Sequence, residues 1–398
     1  MINERMRKLG AERSEIRELF EYGRKRKAEI GEDNVYDFSL GNPSVSCPDG
    51  VSEALSSLIK CEESVKLHGY TSAQGDATVR SAVAKYISEK HSFAVSADDI
   101  YMTVGAAAAL TCSLSAVVTP GEEVILLAPY FPEYRVFVES CGGVVREVSC
   151  LSESFEPDVD AIRQALSERT AAIIVNSPNN PTGVVYSEES VRAIADVLAE
   201  AEERYCKQIY LIADEPYREL VYDNKRVPYV PCYYDDTIVC YSYSKSLSIP
   251  GERIGYCLVS PRARNARSVY QAVCGAGRAL GYVCAPSLLQ KMLPSCLGMT
   301  SDISVYDRNR QLLLTKLQEY GYKTVYPSGA FYLFVKSPIE DARAFSQIAK
   351  RHELLLVASD SFGFGGYVRI SYCVKTEQIE RALPAFHSLA LQMGLTEK

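Results

Sequence analysis

Between residues 100 and 259 short apolar runs alternate with amphipathic ones, and that alternation leaves few architectures open. Runs rich in Val, Ile and Leu occur at 100–103, 123–127, 144–148, 172–175, 209–213, 237–241 and 254–259. Stretches of helical period lie between several of them, at 133–140, 158–167 and 188–203. A continuously apolar strand must be covered on both faces. Strand–helix alternation supplies that cover with crossover helices, so the pattern predicts an α/β domain whose sheet is mainly parallel and flanked by helices. After residue 300 the pattern changes. One long helix is expected over 301–320, strands at 330–335, 354–357 and 367–372, and helices at 339–351 and 376–392. These read as a smaller α+β domain. A chain of 398 residues is long for one core, since domains run to roughly 100–200 residues. We expect a large domain over 46–290 and a small one made of 1–45 with 291–398. No repeat, low-complexity tract or long linker separates them, so they are expected to pack together.

Several function classes are disfavoured at once. Lys plus Arg number 43 and Asp plus Glu 50, and a net charge of −7 argues against nucleic acid as a partner. The one basic cluster, Arg24-Lys25-Arg26-Lys27, falls in a helical pattern and reads as a solvated face. No apolar run reaches the roughly 18–20 residues of a membrane helix. The first twenty residues carry charges of both signs and no apolar stretch like that of a signal peptide. The 13 cysteines include no C-x-x-C pair, and the four histidines stand far apart, so neither a disulfide framework nor a metal site is expected. The expected setting is cytoplasmic, with most cysteines acting as small buried apolar residues.

The chemistry-bearing segment is Tyr241-Ser242-Tyr243-Ser244-Lys245, followed by Gly251-Glu252-Arg253. A lysine amine condenses with an aldehyde, and hydroxyls with an arginine eight residues on can hold phosphate oxygens. Taken alone, it also reads as a surface lysine beside serines. Four other segments converge on the same idea, each with a plainer alternative. Asp214 ends the 209–213 strand with Tyr217 three residues on, where ligands of open α/β sheets bind. A carboxylate there suits a protonated pyridine nitrogen, or equally a helix cap. Asn176-Ser177-Pro178-Asn179-Asn180-Pro181-Thr182-Gly183 fixes an irregular backbone after a strand, either an ordinary turn or a place for an asparagine to meet a phenolic oxygen. Thr103-Val104-Gly105-Ala106-Ala107 joins a strand to a helix of small residues, which suits phosphate or merely tight packing. Arg369, in the apolar strand Tyr367-Val368-Arg369-Ile370-Ser371, needs an anionic partner, either a substrate carboxylate or an internal one.

At these residues the chain resembles the class I/II aminotransferases, the fold-type I family that uses pyridoxal 5′-phosphate (PLP). The resemblance runs in the family's order from Gly41-Asn42-Pro43 to Arg369. It implies that Lys245 holds PLP covalently and later moves protons, and that Asp214 pairs with the ring nitrogen. Asn180 and Tyr217 would bond the ring oxygen. Gly105, Ala106 and Ala107 with Ser242, Ser244 and Arg253 would hold the phosphate, and Phe131 would stack on the ring. Arg369 would bind the substrate α-carboxylate, helped by Gly41 and Asn180. Tyr70 matches a tyrosine that reaches the phosphate from a partner subunit, so a homodimer with shared active sites is implied. Two departures stand out. The chain has no Trp, so Phe131 replaces the common stacking tryptophan, and alanines fill 106 and 107 where relatives carry hydroxyls.

The implied reaction is transamination between an L-amino acid and a 2-oxo acid. The best fit is aspartate or glutamate with oxaloacetate or 2-oxoglutarate. Arg278 lies 33 residues after Lys245, near where aspartate aminotransferases place an arginine for the side-chain carboxylate of the partner's substrate. Aromatic or alanine aminotransferases, and a carbon–sulfur β-lyase on the same fold, are the alternatives. A DNA-binding regulator on this fold is disfavoured by the acidic charge and by the roughly 40 residues before Gly41. A dinucleotide site at Gly363-Phe364-Gly365-Gly366 is rejected, because that string lacks full spacing and precedes a strand.

Overall fold

A computed structural model describes residues 2–11 and 14–395. Its strands, in chain order, are β1 (Tyr36–Asp37), β2 (Ile100–Thr103), β3 (Glu123–Ala128), β4 (Val144–Ser149), β5 (Thr170–Asn176) and β6 (Tyr210–Asp214). They continue as β7 (Thr237–Ser242), β8 (Gly255–Val259), β9 (Tyr332–Lys336), β10 (Leu354–Leu355), β11 (Val357–Ala358) and β12 (Tyr367–Ser371). Seven of them form one sheet in the order β2-β8-β7-β6-β5-β3-β4. The pairs from β4 through β3, β5 and β6 to β7 are parallel, whereas β8 runs antiparallel to both β2 and β7. Residues 243–254, which join β7 to β8, hold only the short helix Tyr243–Ser246 and a single turn at Pro250–Glu252, so no crossover helix carries the chain back to a parallel direction.

Alternate residues of the sheet feed two cores. Ile125 and Leu127 of β3 enter one, and Val124 and Leu126 enter the other. This two-sided burial explains why the inner strands read as apolar runs, whereas the edge strand β4, which carries Arg146 and Glu147, buries only Val148 and corrects the expectation of cover on both faces there. The parallel strands and β2 all end at one edge, where Gly105, Phe131, Asn180, Tyr217 and Lys245 each follow a strand end within a few residues. β8 enters the sheet from that same edge, which brings Arg253 there too.

The second group of strands differs from expectation in detail. The stretch 354–357 is not one strand: β10 pairs with β1 in parallel, and β11 joins β12 and β9 in an antiparallel sheet. The strand expected from residue 330 begins at Tyr332, because Ala330 sits at φ +54°, outside strand geometry. The long helix spans Ile303–Glu319 and is started by Asp302, whose carboxylate accepts from the Ser304 N–H at 3.0 Å.

The helix Glu15–Ile30 carries the basic cluster and packs Leu19 onto Leu355, Val357 and Phe362. Its face is not wholly solvated, since Arg26 pairs with Glu353 at 2.6 Å. The cysteine expectation is also corrected: all 13 are free, but only six are buried, four are half-buried and three are exposed. Among the described residues no helix is long and apolar enough to cross a membrane.

Candidate active site

A cavity of about 260 Å³ opens at the carboxyl edge of the sheet, where side chains from β6, β7 and β12 meet. Asp214 forms its floor. The Tyr134 hydroxyl donates to Asp214 Oδ2, while Oδ1 is buried with no partner. Burial raises the carboxyl to about 7, and the Tyr134 bond opposes that rise. Asn176 ties this floor to the next loop. Its amide donates to the Asp214 carbonyl at 2.9 Å, and its Oδ1 accepts from the Asn180 N–H at 2.8 Å. An unmatched carboxylate oxygen in such a place fits a cationic N–H from a ligand.

Lys245 lies in the short helix Tyr243–Ser246 that directly follows β7. Its Nζ donates to the Gly41 carbonyl at 2.7 Å. Burial, with Arg253 and Arg369 adding repulsion, lowers the amine to about 8. A substantial neutral fraction is therefore present near neutrality, which nucleophilic attack on an aldehyde requires.

The anion cradle lies beside it. Gly105 caps the helix Ala106–Val117 without a side-chain bond, which leaves the first helical N–H groups without a capping side chain, and Ala106 and Ala107 line the cavity. Gly105 sits at φ +90°, and a Cβ there would lie 2.6 Å from Arg253 Nη2. Arg253 stays exposed, donating to Ser244 Oγ at 3.3 Å and to the Val104 carbonyl at 3.2 Å. Ser242 and Ser244 share a hydroxyl contact of 2.7 Å. Hydroxyls, an arginine fork and helix-end N–H groups together form a donor set suited to phosphate.

Arg369, only 2% exposed, reaches the cavity from β12. Its Nη1 donates to Asn180 Oδ1 at 3.0 Å and its Nη2 to the Ser39 carbonyl, while Nε is buried without a partner. No carboxylate pairs with it among the described residues, and a buried guanidinium without a counter-ion fits a carboxylate ligand. The rings of Tyr332 and Phe362 lie 4.6 and 5.1 Å from its centre. Phe131 lines the wall and meets Tyr134 edge-on at 5.6 Å.

Thus Lys245, Asp214, Tyr217, Asn180, Gly41 and Arg369 converge on one cavity, as do Ala106, Ala107, Phe131, Ser242, Ser244 and Arg253. Gly105 stands immediately behind its mouth. Two residues stand apart: Tyr70 is 99% exposed and Arg278 lies exposed at the end of the helix Ala266–Leu280, neither reaching the cavity of its own chain. The sequence reading missed Tyr134, Tyr332, Asn176, Leu40 and Ile16, which also line the cavity. Of these, only Asn176 had a usable signal, its place at the head of the irregular 176–183 string that follows a strand.

The donor set accounts for each part of one cofactor: an amine for its aldehyde, a carboxylate for its ring nitrogen and a cradle for its phosphate. Comparison with known proteins agrees. The family model for aminotransferase class I and II matches residues 33–386, and the chain belongs to that family. The aspartate/prephenate aminotransferase of Thermus thermophilus is 32% identical, covering 87% of this chain and 89% of its own. The aspartate aminotransferase of Thermotoga maritima is 30% identical, covering 92% and 95%. An aminotransferase structure from Eubacterium rectale superposes with a TM-score of 0.97 at 51% identity, covering 98% of this chain and 99% of its own. The Thermus thermophilus aspartate aminotransferase structure with maleate superposes at 0.84 and 27% identity, covering 96% and 98%. The chain is a PLP-dependent aminotransferase of fold-type I.

Proposed function

We propose that this enzyme moves the amino group between aspartate or glutamate and a 2-oxo acid, with the residue roles that follow. When bound, PLP supplies an aldehyde that captures the amine and a ring that accepts electrons. Arg369 binds the substrate α-carboxylate through its unpartnered Nε edge, helped by the Gly41 backbone and by Asn180. The neutral Lys245 amine is placed to take the Cα proton and, once protonated, would return it to the cofactor's aldehyde carbon, beyond the nitrogen. Asp214 Oδ1 holds the ring nitrogen protonated. Asn180 and Tyr217 donate to the ring oxygen, and Phe131 covers one face. The backbone at Gly105, Ala106 and Ala107, with Ser242, Ser244 and Arg253, holds the phosphate.

The observation that carries the reading is the buried Arg369 guanidinium, which has an unpartnered Nε and no counter-ion from this chain among the described residues. The three cavity cations, Lys245, Arg253 and Arg369, are all used by these roles. A second substrate carboxylate therefore needs a cation from elsewhere. We assign it to the partner subunit's Arg278 in a homodimer, with the partner subunit's Tyr70 closing over the phosphate. Support comes from the surface those residues share. The Thr71 and Ala73 carbonyls accept from Cys284 Sγ and N at 3.4 and 3.3 Å, so the Tyr70 loop adjoins the turn that follows Arg278. Leu280 and Val283 expose apolar surface beside it, as an interface would. The dicarboxylate maleate named with the Thermus structure supports the acidic-substrate reading. We also place the working unit as a large domain, 46–290, and a small one, 1–45 with 291–398, in the cytoplasm, where thirteen free thiols are at home.

The test mixes loaded enzyme with L-aspartate and no oxo acid. One oxaloacetate per site, with stoichiometric loss of the visible band, is expected. Release of oxaloacetate from aspartate should fall selectively in Arg278→Ala, with apolar amino acids spared. Equal loss on both removes Arg278 from substrate binding. An enzyme inert to aspartate but active on alanine or an aromatic amino acid refutes the substrate class. Continuous pyruvate and ammonia from cystathionine without an acceptor would make it a lyase.

A further inference from the structure

We propose that Tyr332 is a positioning residue that fixes the direction of the Tyr217 hydroxyl and so tunes the cofactor's ring oxygen. The inference rests on the role given to Tyr217 above. The Tyr332 hydroxyl lies 3.0 Å from that of Tyr217, and both residues are buried. The same ring lies under the Arg369 guanidinium at 4.6 Å. Its hydroxyl also presses on Gly41: a Cβ there would lie 2.1 Å from the Tyr332 hydroxyl. Gly41 in turn accepts from Lys245. One phenol thus touches the lysine's backbone acceptor, the carboxylate-binding arginine and the ring-oxygen donor.

Each phenol has one hydrogen. When Tyr217 donates to the ring oxygen, its hydrogen is committed, and its oxygen becomes the acceptor in the contact with Tyr332. Tyr332 must then donate. A hydroxyl that accepts a hydrogen bond is polarised into a better donor, so the ring oxygen receives a stronger bond than Tyr217 alone would give. Removing the Tyr332 hydroxyl takes away that polarisation and weakens the bond. More negative charge then stays on the ring oxygen, and the protonated nitrogen contributed by Lys245 holds its proton to higher pH.

The experiment titrates the visible absorbance band of the loaded enzyme against pH in the parent, Tyr332→Phe, Tyr217→Phe and the double variant. Phenylalanine at 332 keeps the ring under Arg369. Tyr332→Phe is expected to raise the midpoint by roughly half a pH unit, a fraction of one hydrogen bond. Tyr217→Phe should raise it further, and the double variant should match Tyr217→Phe alone. Affinity for a carboxylate analogue that cannot react should stay within about twofold in Tyr332→Phe, because the arginine keeps its ring. An unmoved midpoint in Tyr332→Phe, with Tyr217→Phe shifted, overturns the relay alone. Equal shifts from Tyr332→Phe in both backgrounds also overturn it. A Tyr217→Phe enzyme that titrates like the parent overturns the assignment of Tyr217 and the relay with it.

Discussion

Replacing Tyr134 by phenylalanine in the cofactor-free protein isolates the strongest electrostatic tension in the cavity. Asp214 is fully enclosed, and its Oδ2 has the Tyr134 hydroxyl as its donor while Oδ1 has none. Burial has already moved its carboxyl from 3.8 to about 7. A hydrogen bond to a charged group contributes about 1.5–3 kcal/mol, and about 1.4 kcal/mol corresponds to one pH unit. Tyr134→Phe should therefore move Asp214 from about 7 to roughly 8–9. The sign follows from linkage. A carboxyl raised by folding penalises the folded state increasingly above its unfolded value, and the penalty stops growing once pH passes the folded value. Below pH 7 both proteins carry a protonated Asp214 and differ only by the neutral hydrogen bond. Above it the parent's penalty levels off while the variant's continues to grow. The stability gap between the two, read from urea midpoints, should widen by about 1.5–3 kcal/mol between pH 6 and 9.5. Tyr134 itself does not ionise in that window, because burial and the Asp214 charge hold its phenol well above its ordinary value. Lys245 titrates near 8 in both proteins and cancels in the difference. In an Asp214→Asn background the widening should vanish. A gap that is constant with pH, or one that widens without Asp214, refutes the reasoning.

Lys245→Ala should abolish turnover while PLP still binds without a covalent link: after borohydride reduction the parent keeps its cofactor through gel filtration in denaturant and the variant loses it, and near-parent activity in the variant would refute the assignment. Capture of PLP by the cofactor-free protein should speed up about tenfold per pH unit below 8 and flatten above it, since only the neutral amine attacks; a rate flat from pH 6 to 9 would contradict the lowered amine. Gly105→Ala forces a side chain into a backbone conformation that costs about 1–3 kcal/mol and pushes on Arg253. PLP affinity should drop by roughly tenfold or more in equilibrium dialysis, and an unchanged affinity would mean that Arg253 and Gly105 do not shape the cradle.

What could be read from the sequence follows from how far each signal reaches along the chain. The sheet was legible because a strand buried on both faces is apolar for its whole length, so run length and strand length coincide, as in β2 at Ile100–Thr103. The lysine, the aspartate and the Gly105 turn were legible because each sits within a few residues of a strand end and brings its own local grammar. The stretch 354–357 misled because four apolar residues serve two different sheets, and nothing local marks the break at Leu356. Tyr134 and Tyr332 escaped for a related reason. Their partners lie 80 and 115 residues away, at Asp214 and Tyr217, whereas a pattern of period 2 or 3.6 reports only near neighbours. Residue type offered no help either, because the chain has 27 tyrosines and most fill the cores. A lone lysine between hydroxyls declares itself, but a phenol that matters is told from one that merely packs only by the oxygen it faces. The two phenols facing Asp214 and Tyr217 touch the groups proposed to hold the ring nitrogen and the ring oxygen. The residues proposed to bind at this site are therefore legible in one dimension, and those proposed to tune them become visible only when the chain is folded.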